Sequence, residues 1–364
     1  MDESRPSTLA RVFRAIAVTG LGIAMLTCGL IVLALAGLES GGVAFGLAIC
    51  LAVLPVPVYL AIVLWIDRFE PEPLRMIVLT FLWGATIACF VAIVLNTIGE
   101  LIVADQLGTE AGEIYGSSFS APVVEEGAKG AVLFGLFWWK RDEFNGIIDG
   151  IVYAALVGLG FAMTENVLYY GRGAAEEGIT GAVITFVVRG IMSPFAHPLF
   201  TAMTGIGLGV AVGSRRKSFR VVAPLVGLAV AMGLHSLWNT GAGAGYFLGV
   251  YVLIMVPIFL GLWAVIALGL RRESRVIATH LRGVVPDAEV AALATLKGRR
   301  RARKAARRRG GRKARRAMSD LQQVAAELAF HRAQGRRDRL AQARESALLA
   351  RMAVRRHELA ALGR

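Results

Sequence analysis

At 364 residues, 56% of them hydrophobic and with a mean hydropathy of +0.60, the chain is too apolar for an ordinary soluble domain. Its formal charge of +14 is unevenly placed: residues 271–364 hold 26 of the 40 Lys and Arg but only 8 of the 26 Asp and Glu. That segment nets +18 while residues 1–270 net −4, so the basicity belongs to the tail alone and the two parts sit in different solvents.

A bilayer core about 30 Å thick needs about 20 apolar residues in a helix. Continuous apolar runs at 15–37, 43–65, 76–103, 121–139, 147–170, 182–213, 221–240 and 246–270 satisfy this, and they lack the alternation of a lipid-facing barrel. The expected fold is therefore all-α, a polytopic bundle of about eight transmembrane helices over 1–270, followed by a basic, helix-prone tail over 271–364. The first run reads as a helix rather than a cleaved signal, since it is long enough to span and has no clear small-residue cleavage site. Pro194 divides the 32-residue sixth run, making 194–213 its main helix. Trp138 and Trp139, next to Lys140 and Arg141, read as interfacial anchors.

Basic residues set the orientation. Arg5, Arg11 and Arg14 precede the first span. Arg68 with Arg75, Lys140 with Arg141, and the Arg215, Arg216, Lys217, Arg220 cluster then fall on the same side as the tail. The opposite connections carry Glu39, Asp105, Glu110, Glu113, Glu176 and Glu177, with Arg172 their one basic residue. This places both termini in the cytoplasm of a multi-pass plasma-membrane protein. Cys28, Cys50 and Cys89 lie in apolar runs without metal-ligand spacing and read as small apolar filler.

Ionisable groups inside spans cost about 2.5–3.5 kcal/mol each on insertion scales and call for an explanation. They are Glu125, Glu126 and Lys129 in A-P-V-V-E-E-G-A-K-G, Glu165 beside Asn166 in F-A-M-T-E-N, Arg189, His197 in H-P-L-F-T, and His235 with Asn239 in H-S-L-W-N. The alternating direction of the spans brings Glu125, Glu126, Glu165, His197, His235 and Asn239 to one depth, in the outer leaflet. Glu125 and Lys129, four apart, can share a helical face, which turns Glu126 away by about 100°. Lys129 and Arg189 read equally well as counter-ions of the glutamates or as structural groups, and Asn166 as a structural hydrogen-bonding residue. A glutamate with two histidines at matching depth is equipped to activate water, either directly as a base or through a metal.

Together with D-R-F-E-P-E-P at 67–73, these motifs in this order resemble the PrsW-type intramembrane proteases, which belong with the CAAX-processing and bacteriocin-processing membrane proteases. The resemblance covers roughly residues 45–245. It implies peptide-bond hydrolysis in a membrane-anchored protein, with an anti-sigma factor as the substrate type of prototype members. Carried over by motif, Glu125 and Glu126 are the family's paired glutamates, Glu165 its second motif, where the wider group has a histidine, and His197 and His235 its two histidines. Two mechanisms stay open on these residues. In one, Glu126 is the base of a metal-free reaction, with His235 or His197 and Asn239 stabilising the oxyanion. In the other, Glu126, His197 and His235 bind Zn²⁺. A transporter or a non-catalytic membrane scaffold would also gather charge at one depth, but the inner halves of the spans are apolar below Lys129, and the full set of site residues is present.

In the tail, K-G-R-R-R-A-R-K-A-A-R-R-R-G-G-R-K-A-R-R at 297–316 precedes an Ala-, Leu- and Arg-rich stretch. Leu321, Val324, Ala325 and Leu328 recur at helical spacing, as do Leu348, Leu349 and Met352, and Gly310–Gly311 marks a break between helices. The basic run is expected to bind the anionic membrane surface. No nucleic-acid fold accompanies it.

Overall fold

The computed structural model of the protein describes residues 8–140, 144–214, 216–335 and 338–362. Arg5, Arg141 and Arg215 of the orientation argument lie outside these residues. Among the described residues there is no strand, only an isolated bridge between Arg282 and Val285. In hydrocarbon a backbone must satisfy its own hydrogen bonds, and helices do so segment by segment.

The helices follow in order: α1 (Thr8–Ser40), α2 (Gly42–Val53), α3 (Val56–Ile66), α4 (Leu74–Trp83), α5 (Cys89–Leu107), α6 (Thr109–Tyr115), α7 (Ala121–Trp139), α8 (Ile147–Phe186), α9 (Ala196–Gly213), α10 (Lys217–Gly243), α11 (Phe247–Val250), α12 (Val256–Leu281), α13 (Asp287–Ala294), α14 (Leu296–Ala333) and α15 (Arg339–Leu362). π-Helical turns at Gly84–Ala88, Gly116–Ser120, Val187–Met192 and Tyr251–Met255 join neighbouring segments. Every expected span coincides with helix apart from short turns. Among the described residues, six stretches are long and apolar enough to cross a bilayer: Arg11–Ser40, Gly42–Ile66, Leu74–Leu107, Ile147–Gly213, Lys217–Gly243 and Phe247–Leu281. Helix α7 is shorter in apolar character because it carries Glu125, Glu126 and Lys129.

The stretch Ile147–Gly213 is 67 residues, about 100 Å if straight, and so cannot be one crossing. It folds into a hairpin. Gly178, at φ +66°, reverses the chain, which only a residue without Cβ does at little cost. The return arm is interrupted at Ser193–Phe195 before α9 begins, as Pro194 predicts. The arms touch backbone to backbone: a Cβ on Gly150 would lie 2.1 Å from the Gly205 carbonyl oxygen, and one on Gly158 would lie 2.7 Å from Pro198 N. Small residues thus permit an approach that larger ones would block. The most apolar window of this hairpin is 89% buried against 17–33% for the other stretches, which makes it the centre of the bundle.

Where the π-turn Val187–Met192 ends, carbonyls are left for side chains to satisfy. Tyr59 of α3 donates to the Gly190 carbonyl (3.2 Å) and Tyr251 to that of Met192 (2.8 Å). Trp83 donates its indole N–H to the Ala128 carbonyl (2.9 Å), tying α4 to α7. Trp138 and Trp139 are exposed at the end of α7, as interfacial anchors would be. Cys28, Cys50 and Cys89 are free thiols.

The chain divides into two compact units, Met1–Trp65 with Pro73–Gly261, and Ile66–Glu72 with Leu262–Arg364. The second is more than a solvated tail. Helix α14 breaks at Gly310–Gly311, and Leu321, Val324, Ala325, Leu328, Leu348 and Met352 are buried in a core of its own. Arg299 donates to the Phe69 carbonyl (3.0 Å), and Gln322 donates to the carbonyls of Ala292 (3.0 Å) and Arg299 (3.1 Å). The segment 66–72 between α3 and α4 is therefore held by the C-terminal unit. Burial and the neighbouring Arg303 push the Arg299 guanidinium down to about 10, so it stays protonated at neutral pH.

Candidate active site

Four helices bring one polar side chain or more to a common centre. Helix α7 supplies Glu125, Glu126 and Lys129; α8 supplies Glu165; the first turns of α9 supply His197 and Thr201; α10 supplies His235. Glu125, Glu126, Lys129, His197, Thr201 and His235 are all buried, and each is hydrogen-bonded, as buried charge requires.

Lys129 Nζ donates to Glu125 Oε2 (3.1 Å), Glu126 Oε1 (2.9 Å) and His197 Nδ1 (3.0 Å). The expectation that Glu126 turns away from the Glu125–Lys129 pair is thereby corrected, since Lys129 bridges both glutamates. Side chains on a helix lean toward its N-terminus, so the long, flexible stem of Lys129 reaches back and carries the ammonium between the i−3 and i−4 carboxylates. The same ammonium lies 3.7 Å from the Phe161 ring centroid, a favourable cation–π placement. Both oxygens of Glu126 are engaged: Oε1 accepts from Lys129 and from His235 Nδ1 (3.2 Å), and Oε2 accepts from Thr201 (2.9 Å).

Each histidine is held by a carboxylate through one ring nitrogen. His197 Nε2 meets Glu165 Oε2 at 2.9 Å, and His235 Nδ1 meets Glu126 Oε1. A carboxylate accepts, so these nitrogens carry the protons, and His197 Nδ1 and His235 Nε2 keep their lone pairs. Those lone-pair atoms lie 4.0 and 3.9 Å from Glu125 Oε2. Glu125, His197 and His235 thus offer one ligand atom each, all within 4.8 Å of one another. In geometry Glu125, and not the expected Glu126, completes the set, because Glu126 faces the far nitrogen of His235. A carboxylate behind each histidine is the arrangement that orients metal-binding imidazoles, so the residues present fit a zinc ion.

Glu165 also pairs with Arg189, whose Nε donates to Asn166 Oδ1 (2.8 Å) and whose guanidinium stacks over Tyr169 at 3.8 Å. Arg189 and Asn166 therefore stand behind Glu165 rather than at the centre. Asn239 departs from expectation: its Nδ2 donates to the Ser117 carbonyl (2.9 Å), away from the cluster. One turn before it, Ser236 donates to Ser118 O (2.6 Å), so this face of α10 fastens the π-turn ahead of α7. Thr201 and Phe161 were not singled out in the sequence. Thr201 lies four residues after His197 in the same motif, and that helical spacing is the signal that points to it. A cavity of about 280 Å³ opens beside His197, with Arg189, Tyr169, Val188, Trp238 and Phe247 in its wall.

The family profile described as "PrsW family intramembrane metalloprotease" matches residues 72–262, just over half of the chain. The chain belongs to the PrsW family. It is 30% identical to protease PrsW of Geobacillus kaustophilus (strain HTA426) over 197 residues, 52% of this chain and 78% of that protein. It is 27% identical to protease PrsW of Bacillus subtilis (strain 168) over 218 residues, 60% of this chain and 90% of that one. No solved structure matches. As a member of the PrsW family the protein is an intramembrane protease in a multi-pass membrane bundle, and the C-terminal unit beyond residue 262 lies outside the profile.

Proposed function

We propose that this PrsW-family protein cleaves a peptide bond of a membrane-anchored protein by metal-assisted hydrolysis, with Glu125, His197 and His235 as the metal ligands. The observation that carries this reading is the opposed pair of carboxylate–histidine contacts, Glu165 to His197 and Glu126 to His235, which turn both free imidazole nitrogens toward Glu125. A zinc ion supplies polarisation of a carbonyl and a more acidic water. The chain's own residues do the rest. Glu165, braced by Arg189 and Asn166, fixes His197 in the tautomer with Nδ1 free. Glu126, braced by Thr201 and Lys129, does the same for His235 Nε2. The neighbouring cavity, with Ile184, Val188 and Phe247 beside Asn166 and Arg189 in its wall, suits an extended substrate segment that offers both side chains and backbone polar groups.

The expected result is that purified protein in detergent contains stoichiometric zinc, loses cleavage of a single-span substrate on chelation, and regains it when zinc is returned. Full activity in metal-free protein would restore the metal-free reading.

The positive-inside distribution supports cytoplasmic termini in the plasma membrane and a site in the outer leaflet, the side on which an anti-sigma factor or similar single-span substrate would be cut. Reporter fusions are expected to place residues 67–75, 140–146, 214–220 and the C-terminus inside and 105–118 outside. An external 214–220 would move the site to the inner leaflet. On the C-terminal unit, Lys297, Arg300, Arg301, Lys304, Arg307 and Arg308 are exposed at helical spacing. That stripe suits attraction to an anionic lipid surface, about 1 kcal/mol per basic residue.

A further inference from the structure

The ammonium of Lys129 has three N–H groups and three partners, Glu125 Oε2, Glu126 Oε1 and His197 Nδ1. Two of these partner atoms belong to residues assigned above as metal ligands. A lone pair on His197 Nδ1 is given either to an N–H or to a metal ion, not to both. Lys129 and a metal are therefore alternative occupants of that lone pair, and both are drawn to Glu125 Oε2. Charge points the same way. Three carboxylates (Glu125, Glu126, Glu165) face two cations (Lys129, Arg189), so the cluster without a metal carries one net negative charge with both histidines neutral. Without Lys129 it would carry two, in a site where Glu126 and Lys129 have no exposed surface at all, and low-dielectric surroundings tolerate such charge poorly. With a divalent ion bound the cluster carries one net positive charge while Lys129 remains, and is neutral when an uncharged residue replaces Lys129, so the lysine holds down the affinity for the ion.

We infer that Lys129 is the built-in cation of the metal site: it holds the ligands assembled when no ion is bound, and yields Glu125 and His197 to an incoming ion. Glu126 is where it withdraws, because that carboxylate lies 2.9 Å away and is not a ligand. Loading and unloading then leave the bundle folded, and the lysine sets how tightly the ion is held. This inference rests on the metal reading above.

The test compares wild type, Lys129→Met and Lys129→Arg, each purified in detergent with zinc, then stripped by chelator. Two quantities are read, the Tm with and without zinc and the zinc affinity from a competition titration. Wild type is expected to keep its Tm nearly unchanged on chelation. Lys129→Met is expected to fall by about 10 °C on chelation and recover with zinc, and to bind zinc on the order of 10–100-fold more tightly, the scale on which groups beside metal ligands act. Lys129→Arg keeps the charge and is expected to fold without zinc and bind it no better than wild type. Equal zinc affinity in all three, a weaker affinity in Lys129→Met, or a tighter one in Lys129→Arg overturns the inference while the metal reading stands. If none of them binds zinc, the metal reading itself falls and takes the inference with it.

Discussion

Glu125→Gln is expected to lower cleavage by about 10²–10⁴-fold, the range associated with losing one positioned catalytic group, and to leave the purified protein without zinc. The amide keeps the shape of the side chain and removes its charge. Oε2 of Glu125 is the oxygen that faces both free imidazole nitrogens and Lys129, so in the proposed metal-assisted reaction this is the position where charge acts on the reacting centre. Glu126→Gln makes the informative contrast. Glu126 touches His235, Thr201 and Lys129 with both oxygens occupied, so its loss should weaken zinc binding about 10–100-fold by loosening His235. Both variants leave Lys129 one carboxylate short, and Glu126→Gln should lower thermal stability more because it also weakens the contacts to Thr201 and His235. The two variants are separated by measuring zinc content, Tm and turnover at saturating zinc. Should Glu125→Gln retain zinc and near wild-type turnover while Glu126→Gln loses both, Glu126 is the ligand and Glu125 the residue that braces it.

Gly158→Ala should cost about 10²-fold in turnover although the residue touches no reacting group. Its Cβ would lie 2.7 Å from Pro198 N and 2.8 Å from the His197 carbonyl carbon. Backbone atoms cannot step aside as a side-chain tip can, so α9 must shift as a unit and carry His197 with it. A displacement of about 1 Å at a catalytic group suffices for a loss of that size. Overpacking adds a stability cost of about 1–3 kcal/mol, read as a lower Tm. Gly150→Val, with its Cβ 2.1 Å from Gly205 O, should be harsher and prevent the hairpin arms from meeting. Gly261→Ala, whose Cβ would meet nothing within 4 Å, is the control and should leave turnover and Tm at wild-type values or slightly above in Tm, since Ala is the better helix former. Equal behaviour of Gly158→Ala and Gly261→Ala would show that close helix approach does not position the site.

The helical membrane bundle was legible in the residues alone, because a run of about 20 apolar residues has no other stable state in lipid. So was the set of polar residues that meet. Glu125, Glu126, Lys129, Glu165, His197 and His235 lie at matching positions along spans of alternating direction, and a buried charge must find a partner. The breaks at Pro194 and Gly310–Gly311 could be read for the same local reason, the backbone limits of proline and glycine. Which atom faces which could not. Adjacent glutamates differ by about 100° of helix rotation, and only the packing of α9 and α10 against α7 decides that Glu125 looks at the free imidazole nitrogens while Glu126 stands behind His235. Lys129 bridging both glutamates, Asn239 turning to Ser117, and Thr201 reaching Glu126 depend on the same packing. So does the C-terminal unit, where helical periodicity marks the buried stripe but only the fold brings Arg299 to Phe69, 230 positions apart in the chain. Local pattern encodes what each segment must bury; the partner atom that satisfies it comes from another segment, and its identity exists only once the chain has folded.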